Sequence, residues 1–194
     1  MKNARKTILE KRQQLSHSDK AACDKIINAN IYKLFSEDFH RSKAVLCYYP
    51  LKDEVNLIDT YEELLSDGYA LFFPKTYPDG SMEFYRVKDL LTQLTEGAFH
   101  VMEPVDFSEK YDYSTYEYNQ TFMIAPGLIF DESCHRMGFG KGFYDRFLSD
   151  KNGIIKCAVA YDFQILPEIP MNPWDVPMDI IITPERTFYR AVML

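Results

Sequence analysis

Residues 136–146 have the composition and spacing of an anion-binding loop. Three glycines alternate there with Phe139 and Lys141, Arg136 precedes them and Asp145 follows. Glycine allows positive φ angles and close backbone approach, so successive N–H groups can point at one anion. Lys141 and Arg136 add positive charge, and a helix beginning after the glycines would present its positive end to the same anion. The segment therefore predicts a phosphate site, and a flexible turn between a strand and a helix is the simpler alternative.

Two common phosphate-binding motifs do not match this segment. A Walker loop requires Gly-Lys-Ser or Gly-Lys-Thr, and neither occurs in the chain. In the dinucleotide fingerprint, G-x-G-x-x-G, the third glycine comes later after the second than Gly142 comes after Gly140. The fingerprint also requires a strand that ends just before its first glycine. We expect no strand to end at that point of this chain.

Composition sets limits on the class of protein. The chain has 194 residues, of which 46% are hydrophobic and 26% charged, which is typical of a soluble globular protein and excludes a disordered or collagen-like one. A net charge of −7 disfavours nucleic acid and anionic membranes as partners. No apolar run reaches the roughly 18 residues of a membrane helix, and the opening residues lack a signal-peptide pattern. The four cysteines are scattered, so we expect reduced thiols and a cytoplasmic location.

Strands alternate with helices along the chain. The apolar patterns predict helices at 4–15, from a cap at Ser16 or Ser18 to about Phe35, at 57–66 after a cap at Asn56, at 88–95 as a short element, and from the glycines to Leu148. They predict strands at 44–49, 69–73, 82–87, 121–125, 154–161, 179–183 and 187–192. Pro50 and Pro74 are expected to stop the first two strands, and 96–119 is expected to be a long irregular segment.

This order of elements predicts an α/β fold with one domain over 1–194. Its core would be a three-layer, open, mainly parallel sheet of the Rossmann-like type, with helices on both faces. Ligands of such sheets bind beyond the carboxyl ends of the strands. We therefore expect the loops 49–56, 74–77, 126–145 and 161–178 to converge on one site.

The glycine segment also resembles a known family signature. The run PGLIFDESCHRMGFGKGFYDRFL, residues 126–148, is similar to the signature of the 5-formyltetrahydrofolate cyclo-ligase family. Arg5 with Arg12, the segments 48–55 and 73–75, and Glu103-Pro104 agree with the family in order, so the resemblance spans nearly the whole chain.

The chain departs from the family pattern at three positions. Cys134 stands where the family usually has glycine, and Phe99 where tryptophan is common. The spacing from Lys2 to Arg5 is one residue shorter than in the family, so a nucleotide contact of Lys2 is less expected than one of Arg5.

The resemblance implies an activity. The family converts 5-formyltetrahydrofolate and ATP into 5,10-methenyltetrahydrofolate, ADP and phosphate, with Mg²⁺. The formyl oxygen is a poor leaving group until it receives the γ-phosphoryl group, after which nitrogen 10 can close the ring. Such a transfer needs positioning and charge neutralisation more than covalent help. The implied partner is a folate, which can carry a polyglutamate tail. The chain itself is expected to be a monomer or a homodimer.

The resemblance also implies site residues. The ATP site would contain Lys2, Arg5, Lys6, Arg136, Met137, Gly138, Phe139, Gly140, Lys141, Gly142, Phe143 and Tyr144. Folate would contact Tyr49, Glu54, Phe139, Gly140, Lys141, Gly142 and Phe143. Lys141 and Arg136 would assist the phosphoryl transfer, and Asp145 and Asp175 would hold Mg²⁺.

Each implied role has a plainer structural alternative. Arg5 could belong to a solvated basic helix face, Glu54 to a surface loop and Tyr49 to the core. Asp145 could pair with a neighbouring arginine on a helix surface, and Asp175 could only anchor a proline-rich turn.

Three further features are weaker candidates. Lys75, which follows a strand end, could reach the nucleotide. The adjacent Cys134 and His135 do not predict a nucleophile and base, because neighbouring side chains rarely face each other. We interpret Trp174 as a packing or flap residue rather than a stacking surface.

A second hypothesis is a catalytically silent binding module for a folate or a sugar phosphate on the same scaffold. The carboxylates Asp145 and Asp175 beside Lys141 favour the enzyme, because a sensor needs no metal-assisted transfer site. A third hypothesis, nucleic-acid binding through the basic first helix, conflicts with the net charge of −7.

Overall fold

The computed structural model describes residues 2–97, 100–107 and 109–191, without the side chain of Lys2. Phe99 lies outside the described residues. The helices are α1 (Lys2–Gln14), α2 (His17–Glu37), α3 (Ile58–Ser66) and α4 (Phe143–Leu148). The strands are β1 (Ala44–Leu46), β2 (Ala70–Thr76), β3 (Met82–Val87), β4 (Leu94–Glu96), β5 (Met102–Pro104), β6 (Thr121–Ala125), β7 (Ile129–Asp131), β8 (Arg136–Met137), β9 (Ile154–Val159), β10 (Ile165–Leu166), β11 (Ile180–Ile182) and β12 (Thr187–Tyr189).

The main sheet has the order β12-β11-β9-β6-β1-β2-β3. Its five central strands are parallel, and the edge strands β3 and β12 are antiparallel to their neighbours. Two smaller sheets, β10-β7-β8 and β4-β5, lie beside it. The predicted open, mainly parallel sheet is confirmed.

Alternate residues of the strands contribute to two separate apolar cores. In β1, Val45 belongs to a core that includes Ile27 and Ile31 of α2 and residues of α3. Ala44 and Leu46 point the other way, into a core that includes residues of α4. Helices therefore cover both faces of the sheet, which gives the three layers expected from the sequence.

The predicted side-chain cap is present at the start of α2 but not at the start of α3. Ser16 is the N-cap of α2, and its hydroxyl accepts a hydrogen bond from the backbone N–H of Asp19 at 3.1 Å. The predicted cap at Asn56 is wrong, because Leu57 is the N-cap of α3 and makes no side-chain cap hydrogen bond. Asn56 accepts a hydrogen bond from the N–H of Ile58 at 3.0 Å, and α3 begins at Ile58, one residue later than expected. Gly68, with φ of +88°, follows the end of α3.

The predicted strand end at Pro74 is wrong, because β2 continues to Thr76. Phe72 directs its carbonyl to Cys47 beside β1 at 2.8 Å, so Pro74, two residues on, directs its nitrogen to the same side. β1 has ended at Leu46 by that point, so the missing N–H is not needed. Pro74 pairs with Phe84 of β3 on the other side.

The predicted short helix at 88–95 is also wrong. The side chain of Asp89 accepts hydrogen bonds from the backbone N–H groups of Leu91 and Thr92, at 2.8 and 3.3 Å. This local turn competes with a helix, and pairing of Leu94 with Pro104 then draws the chain into β4 and β5. The irregular segment expected over 96–119 therefore contains a short strand, whereas its other described residues are largely irregular.

None of the helices in the described part of the chain is both long enough and apolar enough to cross a membrane.

Candidate active site

One large cavity opens where the parallel strands end. Its volume is about 1150 Å³, and all four predicted loops contribute to its wall. Contributions come from Tyr49, Leu51 and Glu54, from Pro74 and Thr76, from the segment 126–145, and from Pro170, Asn172, Trp174 and Asp175. The predicted convergence of these loops is confirmed.

The glycine loop occupies one wall of this cavity, and every residue from Arg136 to Arg146 lines it. Gly140 and Gly142 have φ angles of +89° and +65°, so both need the freedom that glycine provides. β8 ends at Met137, directly before the loop, so the expectation that no strand ends there is wrong. β8 is antiparallel to β7 in a small sheet, and the glycine spacing still excludes the dinucleotide fingerprint.

Besides Lys141, three arginines bring positive charge to the loop. A Cβ on Gly138 would lie 3.3 Å from Nη1 of Arg136, one on Gly140 would lie 3.8 Å from Nη1 of Arg5, and one on Gly142 would lie 2.9 Å from Nη1 of Arg146. The absence of a side chain on all three glycines thus brings guanidinium groups close to the backbone. The helix α4, expected to lend its positive end, has only six residues, so these side chains are the main source of charge.

Two of these arginines have unused hydrogen-bond donors. Nε of Arg5 and Nε of Arg136 are buried and have no hydrogen-bond partner among the described residues. Both residues line the cavity. A buried donor without a partner is costly, which is the condition expected of a group that binds an external anion.

Arg136 and Asp145 form an ion pair in the cavity wall. Nη2 of Arg136 lies 3.0 Å from Oδ1 of Asp145, and the guanidinium lies 5.3 Å from the ring centre of Tyr144. Oδ1 also accepts a hydrogen bond from the backbone N–H of Val176 at 3.2 Å. Asp145 therefore pairs with an arginine, as the structural alternative predicts. It also lines the cavity, as a metal-binding role requires.

The lysines predicted for the nucleotide differ in position. Lys141 is exposed and lines the cavity. Lys6 contributes nothing to the wall, and its ammonium lies 3.8 Å from Glu10 on the outside of α1. The side chain of Lys2 lies outside the described residues.

Glu54 is a buried carboxylate that also lines the cavity. Oε2 accepts a hydrogen bond from the N–H of Leu51 at 3.0 Å, and Oε1 lies 3.7 Å from Nη2 of Arg12. Burial raises the pKa of the Glu54 carboxyl, and the Leu51 and Arg12 contacts only partly offset this. Tyr49 lines the cavity nearby and is half-buried, so part of its ring is accessible.

Asp175 and Trp174 lie together on the wall. Oδ2 of Asp175 accepts hydrogen bonds from the backbone N–H and the side-chain amide of Asn172, at 2.8 and 3.0 Å, so the carboxylate does anchor its turn. Trp174 is 70% exposed and lines the cavity, so of the two predicted roles, packing and flap, the packing role is wrong. Trp174 lies in a proline-rich loop, and the sequence of such a loop does not indicate the direction in which a side chain points.

Three residues in or beside the cavity wall were not among the predicted site residues. Arg146 donates from Nε and Nη2 to the carbonyl of Gly80, at 3.0 and 2.6 Å, and so ties the glycine loop to the β2–β3 turn. Glu103 is buried in the wall and pairs with Lys75 at 2.8 Å. Arg12 is buried against the loop that carries Glu54. Only the spacing of Arg12 four residues after the apolar Ile8, on one helix face, could have indicated its burial.

Cys134 and His135 do not face each other as nucleophile and base. Nδ1 of His135 lies 2.9 Å from Oδ2 of the buried Asp131, and burial raises the pKa of the Cys134 thiol to about 11. Cys134 has a φ of +65°, which explains why glycine suits this position.

Fold and site together define a class of protein: an α/β protein with a cavity beyond its parallel strands that is lined by a cationic glycine loop and by buried carboxylates. A sequence model of the 5-formyltetrahydrofolate cyclo-ligase family matches residues 1–184. The chain therefore belongs to this family, whose members are ligases.

Individual relatives agree with this assignment. The 5-formyltetrahydrofolate cyclo-ligase of Mycoplasma pneumoniae is 32% identical over 188 residues, which cover 95% of this chain and 99% of the relative. The probable 5-formyltetrahydrofolate cyclo-ligase of Schizosaccharomyces pombe is 31% identical over 162 residues, 77% of this chain and 78% of the relative. The solved structure of the Aquifex aeolicus 5,10-methenyltetrahydrofolate synthetase is similar with a TM-score of 0.80 and 33% identity, over 100% of this chain and 96% of that one. These names together describe conversion of 5-formyltetrahydrofolate into 5,10-methenyltetrahydrofolate.

Proposed function

We propose that this chain uses ATP and Mg²⁺ to convert 5-formyltetrahydrofolate into 5,10-methenyltetrahydrofolate, with release of ADP and phosphate. The observation that carries the proposal is the pairing, within one cavity, of a loop surrounded by guanidinium groups with the buried carboxylate of Glu54. The first is suited to a triphosphate, and the second to the N–H groups of a pterin.

The reaction needs ATP because of the leaving group. The formyl oxygen attacks the γ-phosphorus, the bond to the β-phosphate oxygen breaks, and ADP leaves. Nitrogen 10 then attacks the activated carbon and loses its proton, and the C–O bond breaks with release of phosphate. Both steps depend on holding the reacting atoms in line and on neutralising phosphate charge.

The residues available for the triphosphate are those at the glycine loop. Arg5 and Arg136 have buried donors without partners, and Lys141 adds an exposed ammonium group on the same wall. The backbone of Gly140 and Gly142 can approach phosphate oxygens because no Cβ intervenes. These groups would orient the γ-phosphoryl group toward the folate.

The cavity can accommodate both substrates. Its volume of about 1150 Å³ exceeds the roughly 300–1,000 Å³ of usual small-molecule sites. Glu54 would accept hydrogen bonds from the amino and amide N–H groups of the pterin, and Tyr49 would pack against its ring. The loop residue Phe139, which is exposed in the cavity, would separate the two substrates.

The residues present fit magnesium. Hydrogen bonds of the described residues use Oδ1 of Asp145 and Oδ2 of Asp175, so the second oxygen of each carboxylate remains available. No group of three or more potential metal ligands occurs among the described residues, and magnesium needs only one or two carboxylates beside phosphate oxygens and water. When bound, the ion would neutralise charge on the transferred phosphoryl group.

The test is a direct assay of the purified chain with 5-formyltetrahydrofolate, ATP and Mg²⁺. We expect the absorbance of the methenyl product to rise, with one ADP formed for each product molecule. Omission of ATP should abolish product, and omission of Mg²⁺ should reduce it strongly. Folate binding without ATP consumption, under all of these conditions, would instead establish the silent binding module.

A further inference from the structure

Arg12 is an unusual residue for the basic helix α1. Lys6 on the same helix is 79% exposed, as expected of a solvated basic face, but the side chain of Arg12 is only 1% exposed. A buried guanidinium requires partners, because removal of its charge from water costs several kcal/mol.

The partners of Arg12 belong to the substrate wall. Its Nη2 lies 3.0 Å from Oδ1 of Asp53 and 3.7 Å from Oε1 of Glu54, and its Nε donates to the carbonyl of Asp53 at 3.1 Å. Its guanidinium carbon lies 5.9 Å from the ring centre of Phe139, within cation–π range. One side chain therefore connects the carboxylate proposed for the pterin with the tip of the glycine loop.

These contacts fix the orientation of Glu54. The Arg12 guanidinium attracts Oε1 from one side, while the N–H of Leu51 donates to Oε2 from the other. A carboxylate hydrogen-bonded at one oxygen and attracted electrostatically at the other is restrained in orientation before any ligand arrives. Such preorganisation lowers the cost of binding.

The cluster is poorly explained by stability alone. Nη1 and Nη2 of Arg12 and Oδ2 of Asp53 are buried without a hydrogen-bond partner among the described residues, although Nη2 is in ion-pair contact. Apolar residues in the place of such a buried ion pair are often neutral or stabilising. Buried polar groups without hydrogen-bond partners in a native structure call for an explanation, and their position beside the cavity favours a functional one.

We propose that Arg12 is a positioning residue of the folate site: it holds the Glu54 carboxylate in its binding orientation and supports the Phe139 ring of the glycine loop. This inference rests on the proposed function, because it assigns Arg12 a role through Glu54.

The charge of Arg12 also affects the ionisation of Glu54. The groups that face Glu54 are Arg12 and Lys20 from the first two helices, Asp53 of its own loop, and the phenols of Tyr48 and Tyr144. Burial raises the pKa of Glu54, and Arg12 and Lys20 lower it. Loss of Arg12 removes the nearer of these positive charges, so Glu54 should become protonated at higher pH.

The experiment compares Arg12→Met and Arg12→Lys with the wild type. Lys156→Met is the control, because Lys156 forms a partly buried pair with Asp179 at 2.8 Å and does not line the cavity. The readouts are the Kd of 5-formyltetrahydrofolate by calorimetry, the KM values of folate and ATP, and the pH profile of kcat/KM for folate.

For Arg12→Met we expect the Kd and KM for folate to rise about tenfold, which corresponds to about 1.4 kcal/mol. The KM for ATP should change less than about threefold, and the acid limb of the pH profile should move to higher pH. Arg12→Lys should leave the acid limb near its wild-type position but still raise the KM, because an ammonium group cannot bridge Asp53 and Glu54 as a guanidinium does. Lys156→Met should change none of these values.

A double-mutant cycle separates action through Glu54 from a general effect. In a Glu54→Gln background, Arg12→Met should raise the Kd for folate much less than it does in the wild type. Equal effects in both backgrounds, or a kinetic change that Lys156→Met reproduces, would overturn the proposal.

Other outcomes also decide the matter. If Arg12→Met does not fold, a wild-type Kd and KM for folate in Arg12→Lys would overturn the proposal. Folate binding without turnover in the wild type would refute the proposed function alone, since the Kd series would still measure the role of Arg12. A wild type that does not bind folate would refute both.

Discussion

Arg136 and Asp145 are joined by an ion pair of 3.0 Å that underlies the glycine loop. The Arg136 side chain is 4% exposed, so Asp145 compensates a nearly buried charge. Because Asp145 also accepts a hydrogen bond from Val176, it links the loop to the segment that precedes β11. A carboxylate proposed to hold magnesium therefore also holds the site together.

Asp145→Ala should reduce both stability and activity. Removal of one partner of a buried pair leaves the other charge uncompensated, which costs roughly 3–5 kcal/mol when both are fully buried. Since the Asp145 side chain is 18% exposed, we expect a loss of about 2–3 kcal/mol in urea unfolding. Lys141→Met, at an exposed position, should change stability by less than about 0.5 kcal/mol but lower kcat/KM at least about tenfold. Full stability in Asp145→Ala would show that the pair contributes nothing to folding.

Glu54→Gln should make the protein more stable and less active. Burial raises the pKa of Glu54 in the folded state, so the folded protein binds a proton that the unfolded chain releases, and stability falls as pH rises from about 4.5 through the folded pKa. Glutamine removes this penalty and can still accept the hydrogen bond from Leu51.

The stability gain of Glu54→Gln over the wild type should therefore be absent at low pH, grow above about pH 4.5 and level off beyond the folded pKa. Chemical unfolding at a series of pH values measures it, while the KM for folate should rise. A gain that is constant with pH would mean that ionisation of Glu54 is not its cause.

The parts of the site that lie close together in sequence could be predicted. The glycine loop is one segment whose residue types indicate anion binding. The loops that carry Glu54 and Asp175 are far apart in sequence, but their convergence could be predicted because ligands of a parallel sheet bind beyond the carboxyl ends of its strands. The prediction of the site was incomplete for residues whose burial depends on contacts with distant parts of the chain. The burial of Arg12 depends on Asp53, which is 41 residues away, and nothing near Arg12 in the sequence identifies that partner.

The same reasoning explains the errors in the fold. A proline usually ends a strand, but Pro74 is tolerated because β1 stops before reaching it, which only the register of the sheet reveals. Residues 88–95 have helical composition, yet the pairing of Leu94 with Pro104 determines their structure. Local preference yields to tertiary pairing in both cases.

At Cys134, glycine should be a more stable replacement than alanine, which reverses the usual order. Its φ of +65° costs a non-glycine residue about 1–2 kcal/mol, so Cys134→Gly should be more stable than Cys134→Ala by about 1 kcal/mol despite its smaller side chain. Cys157, equally buried within β9, is the control, and there alanine should be the more stable replacement by about 1 kcal/mol. Urea unfolding of the four variants measures both differences. The same order at the two positions would exclude backbone strain at Cys134.

Trp174 should report nucleotide binding. It is the single tryptophan of the chain, it is 70% exposed, and it lines the cavity next to Asp175. A non-hydrolysable ATP analogue with Mg²⁺ should therefore shift its fluorescence to shorter wavelength and protect it from quenching by acrylamide. Trp174→Phe should abolish the signal and alter the free energy of unfolding by less than about 0.5 kcal/mol, because the ring is exposed. If calorimetry shows saturation but emission and quenching do not change, the nucleotide binds away from the wall that carries Asp175. That result would argue against a magnesium role for the Asp175 carboxylate.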